Sequence, residues 1–149
     1  MTRIVAESVA AGARLQAGGS AQGLFFSPTV LDQVTPSMPV FREEIFGPVV
    51  AVTAFASDDE AVRLANDTEY GLSAAIVSKS FTRARAIAER LNVGLVHIND
   101  QTVQDDGLMP MGGRGASGNG SRHGGPANWD EFTQWQWVTY KDAPPPYPF

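Results

Sequence analysis

Residues 49–99 read VVAVTAFASDDEAVRLANDTEYGLSAAIVSKSFTRARAIAERLNVGLVHIN, and this stretch decides the fold. It contains three short apolar runs, residues 49–55, 72–77 and 95–99, which are typical of buried strands. Between them lie two segments whose apolar residues recur at helical spacing. The order strand, helix, strand, helix, strand predicts an α/β fold, in which right-handed crossovers connect a parallel βαβαβ layer.

Both predicted helices begin at a serine. Ser57 and Glu60 form a capping box, in which the serine caps the backbone and the glutamate reaches back three residues later. Ser80 precedes the second helix, where it can cap the first turn. These caps place each helix directly after a strand, as the βαβαβ pattern requires.

The flanking regions are less regular. A helix is predicted over residues 2–11, followed by strand-like runs at 13–17 and 24–31. Eight glycines between residues 107 and 125 predict a long loop. Residues 128–132 suit one helical turn, and residues 134–141 alternate as a strand does.

Composition excludes several classes of function. The chain has 149 residues, 43% of them hydrophobic, which is enough for one domain with a sizeable core. Sixteen acidic against eleven basic residues give a net charge of −5, which argues against a nucleic-acid partner. There is no apolar run of the ~20 residues that a membrane helix needs, and the N-terminus does not resemble a signal peptide.

Cysteine is absent from the chain. Its absence excludes disulfides, thiolate metal ligands and a cysteine nucleophile, and agrees with a cytoplasmic location. His97 and His123 have no carboxylate partner at ligand spacing, so no metal site is predicted. We expect His97, inside a strand, to be a hydrogen-bonded core histidine.

Three short patterns match functional motifs but have a simpler interpretation. GRGASG at residues 113–118 fits the dinucleotide fingerprint GxGxxG, yet no predicted strand precedes it and no helix follows. We therefore interpret it as a tight structural loop. The three tryptophans could stack on bases or sugars, but the negative charge favours a strand face packed against another subunit. The PPPY run at residues 144–147 matches a WW-domain ligand, but a tail laid on a protein surface is favoured.

Five segments, taken in order, resemble the NAD(P)-dependent aldehyde dehydrogenase family. They are FFSPTVL at 25–31, FREEIFGPVV at 41–50, RLANDTEYGL at 63–72, VHIN at 96–99, and MPMGG with ASG across 109–118. The resemblance covers nearly the whole chain. Residues 96–106, 115–125 and 132–139 are most similar to the aromatic-aldehyde branch, the benzaldehyde and vanillin dehydrogenases.

The resemblance implies roles for particular residues. Glu44 would hydrogen-bond the nicotinamide ribose of NAD or NADP, since two carboxylate oxygens can accept the two hydroxyls of a vicinal diol. Phe46 would lie beside the nicotinamide. The loop after the third strand would help to wall the aldehyde pocket, which makes the candidate substrate-binding residues Gln101, Thr102, Val103, Gln104 and Met111.

The resemblance also divides the chain. Residues 1–125 would be part of the catalytic domain, and residues 126–149 an oligomerisation arm with a proline-rich tail. In the family a cysteine thiolate attacks the aldehyde, hydride passes to the nicotinamide, and a glutamate-activated water hydrolyses the thioester. The nucleophile and the dinucleotide-binding domain have no counterpart here, so no catalytic residue is assigned.

Two hypotheses follow. The chain is part of an enzyme that oxidises an aromatic aldehyde, inactive alone and completed by an N-terminal polypeptide. Alternatively, it is a non-catalytic oligomerisation module that binds full-length relatives. Under either hypothesis we expect a homo-oligomer or a complementary polypeptide as partner, and exposed apolar surface in the isolated chain.

Overall fold

The computed structural model describes residues 1–104 and 106–146. The helices are α1 (Thr2–Ala10), α2 (Pro39–Arg42), α3 (Asp58–Ala65), α4 (Phe81–Ala88) and α5 (Ala127–Phe132). The strands are β1 (Arg14–Ala17), β2 (Ala21–Gln22), β3 (Phe25–Phe26), β4 (Thr29–Asp32), β5 (Val49–Ala51), β6 (Tyr70–Gly71), β7 (Ser73–Ile76), β8 (Leu95–Ile98) and β9 (Arg114–Gly115).

The first part of the chain forms a three-stranded sheet covered by α1. Strand β4 is central, antiparallel to β1 and parallel to β5. Leu31 is fully buried at the middle of this sheet, opposite Leu15 on one side and Ala51 on the other. The buried Ser8 of α1 accepts a hydrogen bond of 3.0 Å from the Val40 backbone N–H, which fastens α1 to α2.

The hydrophobic core lies almost entirely in this first part. Its buried members are Ile4, Val5, Ala13, Leu31, Val34, Met38 and Val40. Among the described residues that follow, Val62 and Ala84 are the buried hydrophobic side chains. The second part of the chain therefore has little core of its own.

The second part contains the two capped helices. The Glu60 N–H donates to Ser57 Oγ at 3.2 Å, and the Glu60 carboxylate accepts from the Ala56 N–H at 2.8 Å. The Arg83 N–H likewise donates to Ser80 Oγ at 3.3 Å. Both predicted helix starts are confirmed. Strands β7 and β8 pair in parallel across α4, with Ala74 opposite Val96.

The prediction of one continuous parallel layer is wrong for the described residues. Strand β5 pairs with β4, whereas β7 pairs with β8 in a separate sheet. Apolar runs indicate which segments are strands, but pairing depends on which edges meet, and residues 29–32 occupy one edge of β5. The predicted strand over residues 24–31 also divides, into β3 and β4, on either side of the Ser27-Pro28 segment.

The third part differs from the prediction in two places. The glycine-rich loop carries the short strand β9, which pairs with β6, and a bridge between Met111 and His123. Residues 134–141 form no strand, because a strand needs a neighbouring edge and no described residue offers one. Helix α5 agrees with the predicted helical turn. Tyr147, part of the WW-ligand pattern, lies outside the described residues, as do Asp105 and residues 148 and 149.

The chain exposes more surface than a compact protein of its mass. Its accessible surface is 11080 Å². A folded monomer of 15.9 kDa exposes about 7,400 Å², so the excess is about 3,700 Å². None of the helices in the described part of the chain combines the length and apolar character needed to cross a membrane.

Candidate functional site

Glu44 follows helix α2 on an extended segment that two ion pairs hold in place. Arg42 forms a double contact with Asp67, at 2.9 Å from each of its two terminal nitrogens to a carboxylate oxygen. Glu43 accepts a hydrogen bond of 2.6 Å from Arg3 on α1. The Glu43 backbone is extended (φ −97°, ψ 137°), and successive side chains of an extended chain point to opposite sides. Glu43 is paired with Arg3, whereas Glu44 has no such pair among the described residues, and both glutamates border the cleft described next.

The Glu44 side chain lines an open cleft of about 650 Å³, called here the Glu44 cleft. The opposite wall is formed by residues 70–74 together with Ser117 of the glycine-rich loop. Glu44 is exposed and has no hydrogen-bond or ion-pair partner among the described residues. Both of its oxygens are therefore available as acceptors, which is the chemistry that a ribose diol requires.

Phe46 is 88% exposed and does not line the Glu44 cleft. It precedes Gly47 and Pro48, where the Gly47 N–H donates to the Ile45 carbonyl at 2.8 Å in a tight turn. The turn presents the aromatic ring to solvent. The structure thus places Glu44 and Phe46 near each other in sequence without joining them in one cavity.

The candidate substrate residues divide into two groups. Gln104 and Met111 line a separate cavity of about 390 Å³ beside strand β8, called here the β8 cavity. Gln101, Thr102 and Val103 are exposed and do not line it. The Ser73 hydroxyl donates to the Thr102 carbonyl at 3.1 Å, which ties this loop to β7.

Asn99 ends strand β8 in a left-handed conformation (φ 57°). Its side chain accepts from the Ser78 N–H at 2.8 Å and donates to the Ser78 carbonyl at 3.0 Å. These two bonds join the ends of β7 and β8, so Asn99 fixes the direction of the candidate substrate loop that follows.

His97 lies on β8 and lines the cavity of about 390 Å³ beside this strand. Its Nε2 atom is buried and has no hydrogen-bond partner within the part of the chain that is described. The prediction of a hydrogen-bonded core histidine is therefore wrong for this nitrogen. Among the described residues, no three carboxylate or imidazole groups converge as a metal site.

The GxGxxG segment is a tight loop that supports the cleft. The Ala116 N–H donates to the Glu69 carbonyl at 2.9 Å, and the Gly71 N–H donates to Ser117 Oγ at 3.1 Å. A side chain at Gly113 would collide with the Ser117 carbonyl, and one at Gly118 with the Gly113 carbonyl. The glycines thus permit close backbone contacts, and the structural-loop interpretation is confirmed.

Two ion pairs connect the helices of the chain to neighbouring segments. The Arg42 guanidinium lowers the pKa of the Asp67 carboxyl, mainly through their hydrogen bonds. The Arg83 guanidinium on α4 lowers the pKa of Asp58 on α3 in the same way, with a closest contact of 2.6 Å. Both carboxylates therefore stay ionised at neutral pH and below.

Sequence reasoning missed the wall opposite Glu44. Thr68, Tyr70 and Leu72 line this cleft, and the sequence analysis gave them no role. A signal was present, since all three belong to the segment RLANDTEYGL at residues 63–72. These residues line the same cleft as Glu44 because β6 and β7 lie beside α2 in the folded chain.

Comparison with known proteins decides the family. The model of the aldehyde dehydrogenase family matches residues 1–138. The chain belongs to the aldehyde dehydrogenase family. A benzaldehyde dehydrogenase [NAD(+)] of Pseudomonas putida is 48% identical over 146 residues, which cover 98% of this chain and 30% of that enzyme.

Solved structures of the family share the fold. A salicylaldehyde dehydrogenase from Pseudomonas putida G7, complexed with salicylaldehyde, has a TM-score of 0.88 at 37% identity. The match covers 99% of this chain and 30% of that one. An aldehyde dehydrogenase of Mycobacterium tuberculosis complexed with NAD+ has a TM-score of 0.82 at 32% identity, covering 89% of this chain and 28% of that one. The chain therefore spans about three-tenths of the length of these family members.

Proposed function

We propose that this chain is part of an NAD(P)-dependent dehydrogenase that oxidises an aromatic aldehyde to its carboxylic acid. The observation that carries the proposal is the 48% identity to a benzaldehyde dehydrogenase over 98% of the chain. In this proposal residues 1–125 belong to the catalytic domain, and residues 126–149 form an arm toward a neighbouring subunit.

Glu44 is proposed to hold the nicotinamide ribose. The support is its position: an exposed carboxylate with both oxygens available, on a backbone that the Arg42–Asp67 and Arg3–Glu43 pairs hold in place. When bound, NAD or NADP accepts the hydride of the aldehyde. Phe46, which is 88% exposed, is the candidate ring beside the nicotinamide.

The aldehyde is proposed to bind beside the loop that follows β8. The cavity of about 390 Å³ lined by Gln104 and Met111 falls within the range of small-molecule sites, which is about 300–1,000 Å³. Gln101, Thr102 and Val103 would form the rim. Met111 offers a flexible, polarisable contact that suits an aromatic ring.

The nucleophile must come from polypeptide outside these residues, because the chain contains no cysteine. Aldehyde, water and NAD(P)+ give the acid, NAD(P)H and a proton. An excess of about 3,700 Å² on this one chain exceeds the ~800 Å² that each partner buries in a standard interface, which supports a requirement for further polypeptide.

A second candidate function is a non-catalytic oligomerisation module. It is favoured by the arm, in which Trp135 and Trp137 are 102% and 91% exposed. Aromatic side chains are enriched at protein interfaces, and these two contribute large apolar area to such a surface.

The test is enzymatic complementation. The purified chain is mixed with NAD and benzaldehyde, alone and after co-expression with the remainder of the Pseudomonas putida benzaldehyde dehydrogenase. We expect no NADH from either polypeptide alone and NADH from the pair. Turnover by the chain alone would refute the proposed dependence on further polypeptide. A stable pair without turnover would favour the oligomerisation module.

A further inference from the structure

The turn at residues 119–121 contains a chemically reactive pair, Asn119 and Gly120. The side-chain amide of an asparagine can be attacked by the backbone nitrogen of the next residue, because the attack closes a five-membered ring. Two things normally slow this reaction: the side chain of the next residue, which crowds the nitrogen, and hydrogen bonds that occupy it. Glycine has no side chain, so the sequence removes the first obstacle.

The structure removes the second obstacle. Asn119 and Gly120 are exposed, and a carbon added at Gly120 would meet no atom within 4 Å. Among the described residues, neither the Gly120 N–H nor the Asn119 Nδ2 atom has a hydrogen-bond partner. Gly120 also has a φ of 94°, in a region that side-chain-bearing residues rarely adopt. The attacking nitrogen and the nitrogen that must leave are therefore both unhindered.

Ser121 holds the reacting amide beside its own backbone. The Ser121 N–H and hydroxyl both donate to Asn119 Oδ1, at 3.1 and 2.8 Å. These bonds fold the asparagine side chain back along the turn. Two donors on a carbonyl oxygen also stabilise the negative charge that develops there when a nucleophile adds to the carbon. The turn therefore favours addition at Asn119 Cγ.

The other four asparagines lack this combination. Each is followed by a residue with a side chain, namely Asp67, Val93, Asp100 and Trp129. Asn99 is further held at both ends of its amide by the Ser78 backbone, at 2.8 and 3.0 Å. Asn128 lies in α5, where the N–H of the next residue already donates to the Pro126 carbonyl at 3.3 Å. These four serve as comparisons within one molecule.

We propose that Asn119 is a modification site, at which the chain converts a neutral amide into a carboxylate without the help of an enzyme. The Gly120 nitrogen bonds to Asn119 Cγ, and the Cγ–Nδ2 bond breaks. Ammonia leaves, taking the proton that the Gly120 nitrogen has lost. One water molecule then opens the cyclic imide. Opening at Cγ gives aspartate, whereas opening at the backbone carbonyl carbon gives isoaspartate, whose main chain runs through Cβ and Cγ.

The site lies on the loop between Met111 and His123, part of which lines the Glu44 cleft. The Met111 N–H donates to the His123 carbonyl at 2.7 Å, and the His123 N–H donates to the Met111 carbonyl at 3.0 Å, so both ends are fixed. Inside the loop, the Ser121 carbonyl lies so close to Gly112 that a side chain there would collide with it. Isoaspartate adds a carbon to the main chain of this closed loop and must disturb its packing. Aspartate leaves the length of the main chain unchanged.

Peptide mass spectrometry of the aged chain tests the proposal. The 149-residue chain is incubated at physiological temperature and mildly alkaline pH, and trypsin then releases residues 115–122, in which Asn119 is the single asparagine. We expect Asn119 to lose its amide at least about tenfold faster than each of the other four asparagines, because its neighbour leaves the nitrogen uncrowded. The rate should rise with pH, since the attacking nitrogen must lose a proton. Equal rates at all five asparagines overturn the proposal.

Substitutions in the same loop identify the reacting groups. Gly120→Ala should slow the loss of the Asn119 amide at least about tenfold, whereas Gly107→Ala, at another open glycine, should leave the rate within about twofold. Ser121→Ala removes the hydroxyl donor and should slow the reaction at least about threefold. An unchanged rate in Gly120→Ala overturns attack by that nitrogen, and an unchanged rate in Ser121→Ala overturns the part assigned to the hydroxyl. Circular dichroism establishes that each variant is folded.

Thermal unfolding measures the consequence for the loop. Asn119→Asp contains the aspartate product alone and should unfold within about 1 °C of the fresh chain, whereas the aged chain, which also contains isoaspartate, should unfold at least about 3 °C lower. Gly120→Ala, aged in parallel, controls for other damage. Equal midpoints for the aged chain and Asn119→Asp would overturn the disturbance of the loop. None of these measurements requires enzyme activity, so their outcome is independent of the proposed function.

Discussion

Leu31→Ala tests whether the folded chain depends on its small N-terminal core. Leu31 is fully buried in the central strand β4, between Leu15 on β1 and Ala51 on β5. Its backbone carbonyl accepts from the Val52 N–H, and alanine would preserve that bond. The substitution therefore removes side-chain packing and leaves the sheet hydrogen bonds in place.

The expected loss follows from the burial. Alanine lacks three of the carbons of leucine, and at about 0.8 kcal/mol for each buried carbon their transfer to water accounts for about 2.4 kcal/mol. The cavity left behind raises the total loss of unfolding free energy to between about 3 and 5 kcal/mol. Native domains are stable by only about 5–15 kcal/mol, so this is a large fraction of the total.

The measurement is urea unfolding followed by far-ultraviolet circular dichroism. With a slope of about 2 kcal/mol per molar urea, a loss of 3 kcal/mol moves the midpoint down by about 1.5 M. Leu24→Ala is the matched control, because Leu24 is 100% exposed, and should change the midpoint by less than about 0.3 M. Equal shifts for the two variants would show that the core around Leu31 does not stabilise the fold.

Three further predictions concern the site and its supports. In the complemented enzyme, Glu44→Gln should raise the KM for NAD by about 10- to 100-fold, since it removes charge-assisted hydrogen bonds. The matched control is Glu69→Gln, an exposed carboxylate that does not line the Glu44 cleft, and its KM should stay within about twofold. Similar KM values for the two variants would contradict the ribose role. Gly94→Ala should lower the free energy of unfolding by about 1–3 kcal/mol, measured in urea, because the added carbon would collide with the Gly112 carbonyl. Gly107→Ala, with no atom within 4 Å of the added carbon, should be neutral. The opposite order would disprove the close approach of Gly94 to Gly112. The ion pair with Arg42 lowers the pKa of Asp67, so its stabilisation is present above the unfolded pKa of about 3.9 and is lost as the pH falls through the folded pKa. Asp67→Asn should therefore reduce the fall of the urea midpoint at acid pH. An unchanged fall of the midpoint would exclude this contribution.

The sequence nominated candidate site residues, but it did not indicate which of them share a cavity. The family resemblance selects Glu44, and the structure places its carboxylate in an open cleft. That resemblance also grouped Gln101 to Gln104 with Met111, but only Gln104 and Met111 share a cavity. The difference arises because the direction of a loop side chain depends on bonds from other elements, such as the one from Ser73 to the Thr102 carbonyl.

The sequence by itself determined four of the five described helices, the positions of most strands and the family, whereas α2 was not predicted. The caps at Ser57 and Ser80 act within one helical turn, so neighbouring residues contain all the necessary information. Apolar runs likewise marked β5, β7 and β8, although each strand is shorter than predicted. The absence of cysteine excluded a cysteine nucleophile among these 149 residues.

Only the tertiary structure decided which strands pair and which edges stay open. Thr29 lies opposite Val49, and Tyr70 lies opposite Gly115, across separations that no local pattern encodes. Strand pairing depends on which distant backbone edges meet in the folded chain. Strand β4 pairs with an edge of β5 for which the sequence pattern had assigned no partner. The ion pair of Glu43 was decided in the same way, because its partner Arg3 lies forty residues earlier in the chain.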